Sequence, residues 1–116
     1  VSEVMNIIGD VRGKTCILID DLADTAGTLC NAANALVTKG GAVAVYAGAT
    51  HGVLSGPALD RIEESVIREM VLLDTIPLAA NTASGKIHQL GVAPVFAEAI
   101  SRIHSETSIA SLFDEV

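Results

Sequence analysis

Apolar and polar positions alternate between two rhythms along this chain. TCILID, 15–20, is a nearly continuous apolar run that closes on acids, and it predicts a buried strand ending at Asp20. Over 26–39, Leu29, Ala32, Ala33, Leu36 and Val37 recur at helical spacing, and Lys39 with Gly40 and Gly41 supplies the stop. AVAVYAGAT, 42–50, predicts a second strand, built from small residues. HGVLSGPALDRIEES, 51–65, reads as a loop entering a helix, with Ser55 near the N-cap and Pro57 in the first turn. In that helix Leu59, Ile62 and Val66 are expected to face inward, Arg61 and Ser65 outward. A strand at 69–74, broken by Pro77, and a short strand at 86–93 follow. The last helix, 94–104, is opened by Pro94 and sets Glu98 and Arg102 one turn apart. Residues 1–9 offer a helical turn or an extended lead-in, and DVRGK, 10–14, a turn.

Strand–helix–strand–helix–strand–strand–helix is the order of an open, mostly parallel α/β sheet. The expected architecture has three layers, a sheet flanked by helices. The 116 residues make one domain, with no internal repeat and no low-complexity linker. Composition sharpens this picture. Half of the residues (50%) are hydrophobic and only 3% aromatic, the Val, Ile, Leu and Ala mixture of a parallel sheet buried on both faces. A mean hydropathy of +0.51, in a chain that starts at Val1, predicts that part of its surface is covered by further chain or by another subunit.

Charge removes whole classes of partner. A net charge of −7 argues against a nucleic-acid groove and against an anionic membrane surface, both of which need a basic patch. The apolar runs are too short to span a bilayer and no charged-then-apolar leader opens the chain, so a soluble, cytoplasmic protein is expected. Cys16 falls in a strand and Cys30 in a helix, without CxxC or Cys/His ligand spacing. That predicts two reduced thiols and no metal-ligand set.

LIDDLADTAGTL, 18–29, carries the chemistry. In open α/β sheets, ligands bind outside the carboxyl ends of the strands. Asp20 and Asp21 occupy that edge, and Asp24, Thr25, Ala26, Gly27 and Thr28 form the turn into the next helix. Main-chain N–H groups at a helix N-terminus have no internal partner and bind phosphate without a cation. Gly27 has no side chain to block approach, and Thr25 and Thr28 add hydroxyl donors. The acids then serve the rest of the ligand: carboxylates accept hydrogen bonds, and vicinal sugar hydroxyls donate them, directly or through Mg²⁺. Phosphate at one end and diol at the other describe a pentose phosphate. The plainer alternative is that Asp24 or Thr25 caps the helix while Asp20 and Asp21 are solvated. GDVRGKT, 9–15, imitates a nucleotide phosphate loop, but it has three residues between its glycines instead of four and precedes its strand.

ILIDDLADTAGTLCNAA, 17–33, resembles the phosphoribosyl-binding signature of type I phosphoribosyltransferase folds. EVMNIIGDVRGKTCILIDD before it, YAGATHGVLSGPALDRI and LLDTIP after it, and the tail AEAISRIHSETSIASLF are together similar to the ribose-phosphate pyrophosphokinases, the phosphoribosyl pyrophosphate synthetases. The likeness covers nearly the whole chain and only the C-terminal part of that family, so residues 1–116 are expected to form its C-terminal phosphoribosyltransferase-like domain, incomplete when alone.

The resemblance implies transfer of the β,γ-diphosphoryl group of ATP to the anomeric hydroxyl of ribose 5-phosphate, with Mg²⁺. It implies that Asp24, Thr25, Ala26, Gly27 and Thr28 cradle the 5-phosphate and that Asp20 and Asp21 hold the ribose hydroxyls. The family's ATP pocket, metal-binding His and Asp, and catalytic Lys and Arg map to no residue here. His51, His88 and His104 do not replace them. The resemblance further implies a homohexamer controlled by phosphate and ADP, with Ser108 and Phe113 in the matching regulatory tail, although Ala110 stands where a hydroxyl residue is usual. Two rival readings are a non-catalytic, synthetase-associated assembly subunit and a different phosphoribosyltransferase. The intact turn and acids speak against the first, ATHGVLSGP and SIASLF against the second.

Overall fold

The computed structural model describes residues 6–79 and 85–113. Their elements are β1 (Thr15–Ala23), α1 (Gly27–Thr38), β2 (Ala44–Gly52), α2 (Ala58–Glu64), β3 (Ile67–Leu73), β4 (Ile87–Leu90) and α3 (Ala93–His104), followed by a 3₁₀ turn at Ala110–Phe113. Of the expected lead-in, residues 1–5 lie outside the described residues and 6–9 form no helix. In the predicted turn that follows, the Asp10 carboxylate accepts Arg12 N–H at 3.0 Å.

The four strands pair in parallel in the order β1-β2-β3-β4, so the open parallel α/β sheet expected from the pattern is present. Each of the first two crossovers steps to the next strand in the same direction. Right-handed β-α-β connections that always step one way place their helices on one face. Accordingly α1 and α2 share a face, where Leu29, Cys30 and Ala33 of α1 and Ala58 and Ile62 of α2 are buried. Val45, Ile62, Ile67, Met70 and Leu72 form the fully enclosed centre of that core.

The other face is bare among the described residues. Ile17 and Ile19 on β1 are 69% and 78% exposed, and with Tyr46, Gly48, Val71 and Leu73 they line an apolar trough of about 500 Å³. The expected third layer is therefore not supplied by the described residues. A sheet whose order never reverses has no crossover to place there. Helix α3 buries none of its residues, and its Phe96, Ile100 and Ile103 remain exposed. Its predicted Glu98–Arg102 pair forms at 2.8 Å on the surface, where such pairs contribute little.

Two boundaries differ from the pattern-based expectation. β1 continues past Asp20 to Ala23 because its pairing with β2 continues to Ala23↔Gly52. Main-chain pairing is indifferent to a solvated carboxylate, and the strand expected to be buried is not: Ile17 and Ile19 face the open side, and Ala23, after the acids, is the one buried residue of β1. In α2, Ile62 is buried as expected, but Ala58 is its inward partner one turn earlier; Leu59 is half-buried and Val66 exposed. A seven-residue helix has room for one i, i+4 pair on the core side.

Cys30 is enclosed between α1 and the end of α2. Burial pushes its thiol up from the ordinary range, against smaller opposing effects of a hydrogen bond with Ser65 and the charges of Arg61 and Lys86. A thiol raised on folding contributes stability that is present below the ordinary cysteine range and lost as pH rises through the raised value. Iodoacetamide at neutral pH should therefore leave Cys30 unmodified in the folded chain and alkylate it in urea. Mass spectrometry reads this directly, and rapid native labelling would contradict the burial.

Candidate functional site

The turn joining β1 to α1 is shaped by one residue in the left-handed region. Ala26, the N-cap of α1, has φ 64° and ψ 9°, and no side chain caps the helix. For a non-glycine residue this conformation costs about 1–2 kcal/mol and persists only where the surroundings impose it. Neither Asp24 nor Thr25 caps the helix. Among the described residues, the N–H groups of Thr25, Ala26, Gly27 and Thr28 donate to no main-chain carbonyl. They border an open cleft of about 260 Å³ lined by Asp20, Asp24, Thr25, Ala26, Gly27 and Thr28, with Leu22, Ala23 and Leu29. Unpartnered amides beside an open cleft are suited to an anion.

The turn is gripped from behind by the second β-α connection. Val53 and Leu54 N–H groups both donate to Ala23 C=O, at 3.0 and 3.1 Å, and Ser55 N–H donates to Asp24 C=O at 3.0 Å. The Ser55 hydroxyl donates to the Asp24 carboxylate. Ser55 was expected near an N-cap, but the N-cap of α2 is Pro57, and the Ser55 hydroxyl is directed to the neighbouring turn. Leu54 pays for this path with a positive φ of 52°, followed by Gly56 at 57°. From α2 itself, Arg61 Nη1 donates to Thr25 C=O at 3.2 Å. Arg61 is exposed, as its place on the outward face predicts, and from there its guanidinium reaches the turn. The open space at Gly27 also faces Arg61: a Cβ there would lie 3.0 Å from Arg61 Nη1.

The acids differ in placement. Asp20 lines the cleft, and one of its carboxylate oxygens accepts the Asp21 main-chain N–H at 2.8 Å. Asp21 is exposed and is not among the cleft-lining residues. Among the described residues no three His, Cys, Asp or Glu side chains gather as a metal-ligand set.

Comparison with known proteins decides the family. The phosphoribosyl synthetase-associated domain family matches residues 2–114. This chain belongs to that family. The domain is 61% identical over 114 residues to the ribose-phosphate pyrophosphokinase of Clostridium tetani, covering 98% of this chain and 35% of that protein. It is 61% identical over 113 residues to the enzyme of the same name from Caldanaerobacter subterraneus subsp. tengcongensis, covering 97% of this chain and 35% of the relative. The crystal structure of phosphoribosylpyrophosphate synthetase from Mycobacterium smegmatis superposes with a TM-score of 0.79 at 41% identity, covering 85% of this chain and 33% of that one. The chain thus spans about a third of the length of the relatives it matches.

The domain's histidines have local roles. His51 Nδ1 lies 2.7 Å from Thr75 Oγ1, which itself donates to Thr50 C=O at 3.2 Å. His88 pairs with Glu69 at 3.3 Å on the surface, and His104 lies in the last turn of α3. In the tail, Ser108 Oγ accepts Ala110 N–H at 3.0 Å, while Phe113 is 78% exposed. No helix among the described residues is long and apolar enough to cross a membrane.

Proposed function

We propose that this domain is the ribose 5-phosphate-binding, C-terminal portion of a cytoplasmic ribose-phosphate pyrophosphokinase. The observation that carries the reading is the set of unpartnered amides at Thr25–Thr28 opening on a cleft that Asp20 also borders. In the reaction the anomeric oxygen attacks the β-phosphorus of ATP, the bond between the α- and β-phosphoryl groups breaks, AMP leaves, and the hydroxyl gives up its proton. The nucleophile belongs to the substrate, so the chain's share is to bind and orient. The amides would hold the 5-phosphate, Asp24 and the threonine hydroxyls would close the cradle, and Asp20 with Asp21 would take the ribose diol. Mg²⁺ takes oxygen ligands, usually one or two carboxylates with substrate phosphates and water. Asp20, which borders the cleft, would fit that limited share, and the ion would supply charge neutralisation on the phosphates. ATP contacts and the remaining metal ligands would fall to parts beyond this chain, and the assembly would be a homohexamer, with Ser108 and Phe113 as candidate contacts for regulatory phosphate or ADP. The intact turn and acids favour this reading over a non-catalytic assembly subunit.

The test uses the polypeptide at the relatives' full length. Asp24→Ala combined with Gly27→Val should weaken ribose 5-phosphate binding by about 100-fold in calorimetry, the loss of two or so hydrogen bonds to a charged group. ATP affinity should be unchanged. Unaltered ribose 5-phosphate affinity would remove the phosphate cradle from the argument.

A further inference from the structure

We infer that Arg61 is a positioning residue for the phosphate turn, although it lies on α2 and outside the signature that marks the site. The inference rests on the function proposed above. Arg61 Nη1 donates to the carbonyl of Thr25 from the side of α2. All peptide bonds among the described residues are trans, and across a trans peptide the C=O and the following N–H point in opposite directions. A guanidinium that draws the Thr25 carbonyl toward α2 therefore turns the Ala26 N–H away from α2, among the amides that border the cleft. Ala26 is also the residue held at φ 64°, so this peptide plane needs an external hold to keep its orientation.

Gly27 and Arg61 are matched in this arrangement. A side chain at Gly27 would begin 3.0 Å from Nη1 and press the guanidinium out of line with Thr25. The glycine thus keeps room for a cation behind the turn. Arg61 also brings positive charge to a turn that contains Asp24, follows Asp20 and Asp21 of β1, and has no basic residue of its own. Lysine does not substitute fully, because its single ammonium lacks the planar fork that keeps one N–H directed along the peptide carbonyl.

The experiment compares Arg61→Met and Arg61→Lys in the full-length polypeptide by calorimetry with ribose 5-phosphate, ribose and ATP, alongside thermal melts. Arg61→Met is expected to weaken ribose 5-phosphate binding about tenfold, the order of one charge-assisted hydrogen bond. Ribose and ATP affinities and the melting temperature should hold. Arg61→Lys should recover part of the loss, and it carries the same expectation, about threefold, if the methionine variant does not fold. Two results overturn the inference. One is an unchanged ribose 5-phosphate affinity in both variants while Asp24→Ala with Gly27→Val abolishes it, which leaves the phosphate cradle standing without Arg61. The other is an equal loss for ribose 5-phosphate and ATP accompanied by a lower melting temperature, which marks a general structural role. If neither Arg61→Met nor the turn double variant alters the affinity, the cradle itself falls and this inference with it.

Discussion

Ile62→Ala should destabilise the chain by about 2–5 kcal/mol, read from the urea midpoint at constant slope. Ile62 is fully buried at the contact of α2 with the sheet, beside Ile67, Met70 and Leu72. Truncation removes its transfer free energy and leaves a cavity that a short helix anchored by Ala58 and Ile62 closes only by shifting. Small domains have about 5–15 kcal/mol in total, so the loss is a large fraction of what holds this one together. Among the described residues only one face of the sheet is packed, and no second core there compensates. The consequence reaches the site, because α2 carries Arg61 on the residue preceding Ile62 and is led in by the Ser55 loop that grips Asp24. A change below about 0.5 kcal/mol, the range of ordinary surface substitutions, would show that α2 is not docked as described.

The hydrophobic rhythm made α1 legible because its repeat reports burial, whereas in α3 the same rhythm appears with no residue buried. Leu29 and Ala33 recur at helical spacing because α1 lies on the sheet, and Lys39 followed by Gly40 and Gly41 ends that helix as read. The signature at Asp20–Thr28 was legible for a different reason: its amides act through local chain geometry, which a short motif encodes. Arg61 was not legible. A hydrophobic pattern records which side chains leave water, whereas the direction of a polar one depends on where its helix lands relative to another. Thr25 and Arg61 are 36 positions apart and meet only because two right-handed crossovers set α1 and α2 side by side. The stretch from Asp20 to Thr28 has no basic residue of its own, and the one beside it comes from the following helix. The end of β1 was misjudged because carboxylates were read as ending a strand that main-chain pairing carries on to Ala23.

Ile17→Ser together with Ile19→Ser should leave stability nearly unchanged in one length of the protein and lower it in a longer one. In the chain of 116 residues both side chains stand largely in solvent, at 69% and 78% exposure. Their replacement should leave the urea midpoint within about 0.5 kcal/mol of wild type and reduce self-association in light scattering. In a polypeptide of the relatives' length the same pair should cost about 1.5–3 kcal/mol for each side chain that the added chain buries. A sheet stepping only from β1 to β4 receives helices on one side; further chain joining at the free edge of β1 and reversing the direction would supply a second layer. The relatives are about three times as long as this chain, which covers 35% of the first. Such a reversal would also place a strand-order switch beside β1, where open α/β sheets bind their ligands, and Asp20 and the phosphate turn lie at the carboxyl end of that strand. Equal destabilisation in the two lengths would mean that the trough is already closed within these residues, and no loss in the longer one would mean that the added chain packs elsewhere.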